Sequence, residues 1–274
     1  MGPLPGTPHP PGAIMDSYAP NLSDLLEREP LPASGIACDD VDYEADGVAY
    51  RGYRARPAGA GRHPGVLVVH DWLGVTDYVR MRCDMLARLG YSAFAADVFG
   101  ADVRPTPQGA AAVAGRFYQD RALWRKRLVE AFDQLRTDAS VDATRTAAIG
   151  YCFGGSSVLE LARTGADVDA VVSFHGGLLT GSEGEAEKIT AKLLVLHGAA
   201  DPVAPDEDVL AFENDLRTAP SVDWQVIAYA NAMHAFTLPD ADAPEHGAQF
   251  QATAERRSWT AMKTFLAEVF ATRA

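Results

Sequence analysis

From residue 66 onward the chain alternates between two hydrophobic patterns. Short runs are apolar at nearly every position: Val66-Leu-Val-Val69, Ser92-Ala-Phe-Ala-Ala96, Thr146-Ala-Ala-Ile149, Ala170-Val-Val-Ser-Phe174 and Leu193-Leu-Val-Leu196. Between them lie longer stretches in which apolar residues recur three or four positions apart. The first pattern predicts strands covered on both faces, and the second predicts amphipathic helices. Strands are therefore expected over 66–70, 92–96, 146–149, 170–174, 193–197 and 224–229. Helices are expected over 77–89, 156–164, 206–217 and near 247–272, with a helical region over 107–138. Upstream, strands over 36–43 and 48–56 flank the turn Ala45-Asp46-Gly47 as a hairpin. The alternation implies an α/β fold, a mainly parallel, doubly wound sheet with an N-terminal antiparallel hairpin. Residues 1–35 carry many prolines with glycine and serine between them and read as a tail or leader, with one short helix at 21–27. Residues 36–274 read as a single domain.

One junction between the patterns carries chemistry. Gly150-Tyr-Cys-Phe-Gly-Gly155 follows a strand and opens a helix, which is the arrangement of a nucleophile elbow with cysteine in the serine position. Glycines two residues before and after Cys152 let the sharp turn close without Cβ clashes. The turn sets the thiol at a helix N-terminus, whose partial positive charge favours thiolate. Further along, Asp201 stands in His197-Gly-Ala-Ala-Asp-Pro, just past a strand, and His234 stands in Ala230-Asn-Ala-Met-His-Ala-Phe, past the next one. The order nucleophile, acid, histidine is that of α/β-hydrolases and differs from the chymotrypsin and subtilisin orders. His175 also ends a strand and competes for the role of base, but it precedes any carboxylate-bearing strand that could orient it. The oxyanion donors are expected to be the Phe153 amide and, from the loop after the strand 66–70, the Trp72 amide, with Leu73 one residue off.

These segments resemble the dienelactone hydrolase (carboxymethylenebutenolidase) family of α/β-hydrolases from about Ile36 onward. The resemblance rests on Gly-Tyr-Cys-Phe-Gly-Gly, His70-Asp-Trp-Leu-Gly74, the segment around Asp201 and Met233-His-Ala-Phe236. It implies an α/β-hydrolase fold, a Cys152–His234–Asp201 triad, and thiol activation by an acidic residue of the oxyanion loop, here Asp71. Two departures from the prototype stand out. Asp71 replaces a glutamate and is one methylene shorter, and Phe236-Thr-Leu-Pro239 supplies no cation where the prototype has an arginine after its histidine. The pocket is therefore expected to lack a charge-assisted anchor for an acidic lactone. Hydrolysis of small esters or lactones through a cysteinyl intermediate is the function implied. Promiscuous attack on phosphotriesters by the same residues, and a non-catalytic binding or redox-sensing protein on the same fold, are the alternatives.

The segment 100–127 leaves a strand at its carboxyl end, where open α/β sheets bind ligands. Tyr118 and Trp124 from this segment, with Phe236 and Leu238 near the histidine, are the expected lining of the pocket, and Phe99 and Phe117 are weaker candidates. Arg104, Arg116 and Arg121 are candidates for a substitute carboxylate clamp, with solvated surface positions the favoured reading. The net charge of −13 argues against nucleic-acid and anionic-membrane partners, which select basic patches. Three cysteines, an odd count without metal-ligand spacing, argue against a disulfide framework and a zinc site and fit a cytoplasmic compartment. No cofactor or metal is expected, and the partner is a small-molecule substrate for a monomer or homodimer.

Overall fold

The computed structural model describes residues 18–272. Its centre is an eight-stranded sheet in the order β1-β2-β4-β3-β5-β6-β7-β8. The first two strands, β1 (Ile36–Ala45) and β2 (Val48–Pro57), form an antiparallel hairpin. Ala45 pairs with Val48, so the turn is Asp46-Gly47, both at positive φ (51° and 73°), as a two-residue primed turn requires. β2 is antiparallel to β4 (Ser92–Ala96). All remaining pairs are parallel: β3 (His63–Val69) lies between β4 and β5 (Val141–Tyr151), followed by β6 (Ala170–Phe174), β7 (Lys192–Gly198) and β8 (Trp224–Tyr229).

Neighbouring residues of the central strands point to opposite faces, and both faces are apolar because helices cover both. On one side Val66, Val68, Ile149, Val172 and Leu194 pack against α1 (Pro20–Leu26), α2 (Asp77–Arg88) and α7 (Ala252–Ala271). On the other, Leu67, Val69, Ala148, Val171 and Val195 pack against α3 (Pro107–Gln119), α4 (Arg121–Arg136), α5 (Phe153–Arg163) and α6 (Asp206–Arg217). Among the described residues no helix is long and apolar enough to cross a membrane.

The helical region expected over 107–138 is present, and two other elements differ from the sequence expectation for identifiable reasons. The helical region 107–138 is two helices, because Asp120 leaves helical geometry (φ −123°, ψ 79°) and caps α4 by accepting the Leu123 N–H at 2.9 Å. The last helix starts at Ala252 rather than near 247, since Pro244 and the left-handed Gly247 (φ 74°) build a tight turn first. The leader reading of residues 1–35 covers 17 residues outside the described range, but the remainder is not a free tail. Tyr18, Leu22 and Leu25 are buried in the core, and the Glu29 carboxylate accepts from Trp259 Nε1 (2.8 Å) and Lys263 Nζ (2.6 Å) of α7. Arg88 of α2 donates to the carbonyls of Leu26 (3.1 Å) and Glu29 (2.9 Å). Proline-rich composition excludes regular ladders, but it does not exclude burial.

Candidate active site

The carboxyl ends of β3, β5, β6, β7 and β8 open onto one edge of the sheet, and each delivers one residue of interest there. Cys152 follows β5 directly and precedes α5, at φ 56° and ψ −116°. Its N–H donates to Phe174 O (3.0 Å) and to His175 Nδ1 (3.1 Å). Its carbonyl accepts from Gly155 N–H (2.9 Å) and Ser156 N–H (3.2 Å), the first turn of α5. The glycines of the elbow are dictated by packing. A Cβ on Gly150 would lie 2.0 Å from Gly154 O, and one on Gly154 would lie 2.1 Å from Val69 O on the neighbouring strand. Backbone atoms cannot yield there, so no other residue fits.

The His234 imidazole bridges the other two residues. Its Nε2 is 3.1 Å from Cys152 Sγ, and its Nδ1–H donates to Asp201 Oδ2 at 2.9 Å. Asp201 is buried, and its second oxygen accepts the Val203 N–H (2.8 Å), which fixes the carboxylate from behind. The His234 loop is itself pinned, with its N–H on Gly247 O (2.9 Å) and its carbonyl on Gln249 N–H (3.0 Å). Burial alone would lower the pKa of this ring. The Cys152 sulfur and the Asp201 carboxylate outweigh it and raise the pKa to about 10, so the ring stays protonated against the sulfur at neutral pH.

His175 does not reach Sγ. It is fully buried, its Nδ1 accepts from the Cys152 backbone, and its Nε2 is 2.7 Å from Thr237 Oγ1, which in turn meets Tyr78 OH at 2.8 Å. Burial holds its pKa well below the ordinary value, which suits a neutral ring accepting at Nδ1. Sequence order separated the two histidines, but it gave no sign that the second braces the elbow backbone.

In the loop after β3, Asp71 is buried and its Oδ1 accepts the Leu73 N–H at 2.8 Å. That engages the Leu73 amide. Among the described residues the Trp72 and Phe153 amides have no intramolecular acceptor, and Phe153 is the first residue of α5, where helix N–H groups are unpaired. The Asp71 side chain makes no hydrogen bond to Sγ among the described residues. Burial, opposed by the Leu73 N–H and by the charge of His234, raises its pKa to about 6.

A sequence model of the dienelactone hydrolase family matches residues 50–270. The chain belongs to the dienelactone hydrolase family. A solved structure of a dienelactone hydrolase-like promiscuous phosphotriesterase, P91, from metagenomic libraries is 40% identical and superposes with a TM-score of 0.82, covering 85% of this chain and 98% of that one. An uncharacterized protein of Caenorhabditis elegans is 38% identical over 54% of this chain and 94% of its own length. A Bradyrhizobium protein named as a probable 2-oxo-3-(5-oxofuran-2-ylidene)propanoate lactonase is 28% identical over 73% of this chain and 84% of its own.

Within this family fold the expected pocket lining needs correction. Trp124 and Phe236 are completely buried. Trp124 stacks on Phe153 at 5.1 Å and donates from Nε1 to Ser157 Oγ at 3.0 Å, whereas Phe236 packs in the core under α7. Phe99 and Phe117 join Trp124 around the Phe153 ring, so these three aromatic side chains pack beneath the elbow. Aromatic spacing along a helix reports the face toward the core, and here that core lies directly beneath Cys152. Leu238 is half-buried against the core on the α7 side of the sheet. Tyr118 is different: it is 38% exposed and its hydroxyl donates to Ser156 Oγ (3.2 Å), one turn along α5 from Cys152. Trp72 is also exposed, at 39%. The arginine clamp is not assembled either. Arg104 is held by Asp97 (3.1 Å) and the Gly100 carbonyl (2.8 Å), Arg121 by Glu160 (3.1 Å) and the Thr180 carbonyl (3.0 Å), and Arg116 is exposed.

Proposed function

We propose that this hydrolase cleaves small neutral esters and lactones through a covalent intermediate on Cys152. The observation that carries the reading is the unbroken contact from Cys152 Sγ through His234 to a buried carboxylate, with steps of 3.1 and 2.9 Å. The sulfur attacks the carbonyl carbon, and the carbonyl oxygen becomes an oxyanion facing the Trp72 and Phe153 N–H groups. The C–O bond then breaks, the proton on His234 passes to the departing alkoxide, and a thioester remains. His234, now neutral and oriented by Asp201, takes a proton from water, which attacks the thioester and frees the thiolate and the acid. Asp71 organises the donor loop through Leu73.

The arginines of the 100–127 segment are engaged or exposed, and Phe236-Thr-Leu-Pro239 after His234 supplies no cation, so neutral short-chain aryl esters are the better substrates and carboxylated lactones the poorer ones. A second reading has a specific support: the 40% identical P91 is described as a promiscuous phosphotriesterase. The two amides that receive an oxyanion can receive a phosphoryl oxygen, so neutral phosphotriesters belong in the same panel. Cys38, Cys83 and Cys152 are all unpaired, and a working thiol favours a reducing, cytoplasmic setting.

The test is a panel of p-nitrophenyl butyrate, a carboxylated dienelactone and a neutral aryl phosphotriester, run with wild type and Cys152→Ala, beside iodoacetamide titration. Turnover that disappears in the variant supports the reading. Stoichiometric alkylation without turnover of anything supports a binding or redox-sensing protein instead. A tenfold preference for the carboxylated lactone, about 1.4 kcal/mol, overturns the pocket assignment.

A further inference from the structure

We infer that His70 is a positioning residue for the oxyanion loop: by donating from Nδ1 to the Asp71 carbonyl it fixes the peptide whose other end is the Trp72 N–H. The inference deepens the proposed reaction and rests on it.

His70 is the first residue beyond β3 and is fully buried. Its Nε2 lies 3.1 Å from the backbone N–H of Val98, and its Nδ1 lies 2.6 Å from the Asp71 carbonyl oxygen. An amide N–H can only donate and a carbonyl oxygen can only accept. Nε2 is therefore bare, Nδ1 carries the hydrogen, and a single neutral tautomer satisfies both partners. Burial lowers the pKa of the ring, in keeping with that state.

The consequence follows from peptide geometry. The described chain has no cis peptide bonds, so the Asp71 C=O and the Trp72 N–H point to opposite sides of one rigid plane. A donor that fixes one end aims the other. Among the described residues the only other donor to Asp71 O is Gly74 N–H at 3.4 Å, too long to set the plane, and the Leu73 bond to Asp71 Oδ1 holds the following peptide. The imidazole cannot drift, because Phe99 meets it edge-on at 4.5 Å and Phe153 stacks on it at 6.0 Å. Phe153 carries the second oxyanion donor, so the same ring rests on one donor residue and aims the other.

The role can be separated from general support of the fold, because only acyl transfer develops an oxyanion. When Cys152 displaces iodide from iodoacetamide, a C–S bond forms and a C–I bond breaks with no charge appearing on a carbonyl oxygen. The experiment compares His70→Phe, which keeps the ring packing and loses the donor, with His70→Asn, whose side-chain amide nitrogen takes the place of Nδ1. In His70→Phe the expected kcat for p-nitrophenyl butyrate falls about 10- to 100-fold with KM little changed, while the Cys152 alkylation rate stays at the wild-type value. In His70→Asn kcat returns to within about threefold of wild type although the Val98 contact is lost.

Wild-type turnover in His70→Phe, alkylation falling in step with kcat, or a His70→Asn enzyme as poor as His70→Phe each overturns the inference. If His70→Phe does not fold, His70→Asn decides alone: retained kcat supports the role of the donor and lost kcat overturns it. Persistent turnover in Cys152→Ala is a separate failure, since it removes the reaction and not the positioning.

Discussion

Replacing Cys152 by alanine and by glycine tests the nucleophile and the geometry that presents it in one comparison. Both variants lose the sulfur and its contact with His234, and they differ by one methyl group. At φ 56° and ψ −116°, a side-chain-bearing residue costs about 1–3 kcal/mol that glycine avoids. Two effects oppose that relief. Glycine gives the unfolded chain more freedom, favouring alanine by roughly 0.5–1 kcal/mol. The methyl group of alanine, half-buried at this site, contributes about 0.4 kcal/mol of packing, half the value of a fully buried group. The balance leaves Cys152→Gly more stable than Cys152→Ala by about 1 kcal/mol, which for a chain of this size is roughly 2–4 °C in melting temperature. Thermal melts of the two proteins, with urea unfolding as a second measure, read the difference directly, and p-nitrophenyl butyrate turnover is measured on the same samples. An alanine variant more stable than the glycine variant by about 1 kcal/mol or more would refute backbone strain at the elbow. Hydrolysis by either variant would refute the sulfur as nucleophile.

Three further outcomes are expected. The proton on His234 is favoured by the fold, with a pKa raised from 6.5 to about 10, so the stability it contributes is complete below pH 6.5 and is lost as pH rises through about 10; the advantage of wild type over His234→Gln in melting temperature should shrink across that interval, and a constant gap would contradict the ion pair. The Asp71 carboxyl is shifted the other way for stability, since a pKa raised from 3.8 to about 6 makes its ionisation a cost that is absent below pH 3.8 and complete above 6. Asp71→Asn should therefore melt higher than wild type at pH 8, with the gain vanishing toward pH 4, and should leave the alkylation rate–pH profile of Cys152 unchanged; slower alkylation would restore the thiol-activating role implied by the family resemblance. Trp124→Ala should destabilise the protein by about 3–5 kcal/mol with little change in KM for a small ester; a large KM effect in a stable protein would return Trp124 to the pocket.

The sequence made the proposed nucleophile legible because the elbow is written locally. Gly150 and Gly154 are fixed by clashes with backbone atoms, so any chain that builds this turn shows glycine at both positions. Asp201 and His234 were legible through chain order, each standing a few residues past a buried strand. The misread aromatic residues follow from a different physics. Trp124 and Phe117 sit at helical spacing on the face of α3 and α4 that meets the sheet, and sequence cannot tell whether that face ends in a cleft or in the packing beneath Phe153. The roles of His70 and His175 were hidden for the opposite reason: they act on backbone groups of Asp71, Val98 and Cys152, which leave no residue-type signal, and the Thr237 hydroxyl on His175 is far away in sequence. The short helix expected at 21–27 is α1, but its docking was obscured by composition, since the surrounding prolines outweighed the three apolar side chains that anchor it.

Glu255 divides its carboxylate between Arg28, ahead of the sheet, and Arg82 of α2, and Arg82 also donates to the carbonyl of Thr237 at 3.4 Å. Thr237 is the residue whose hydroxyl steadies His175. When chimeras are assembled from members of this family, the segment before β1, α2 and the helix that carries Glu255 thus form one heritable module. Exchanging the N-terminal segment alone removes Arg28 and leaves Arg82 as the one arginine on the buried carboxylate of Glu255, whereas moving all three parts together keeps both contacts.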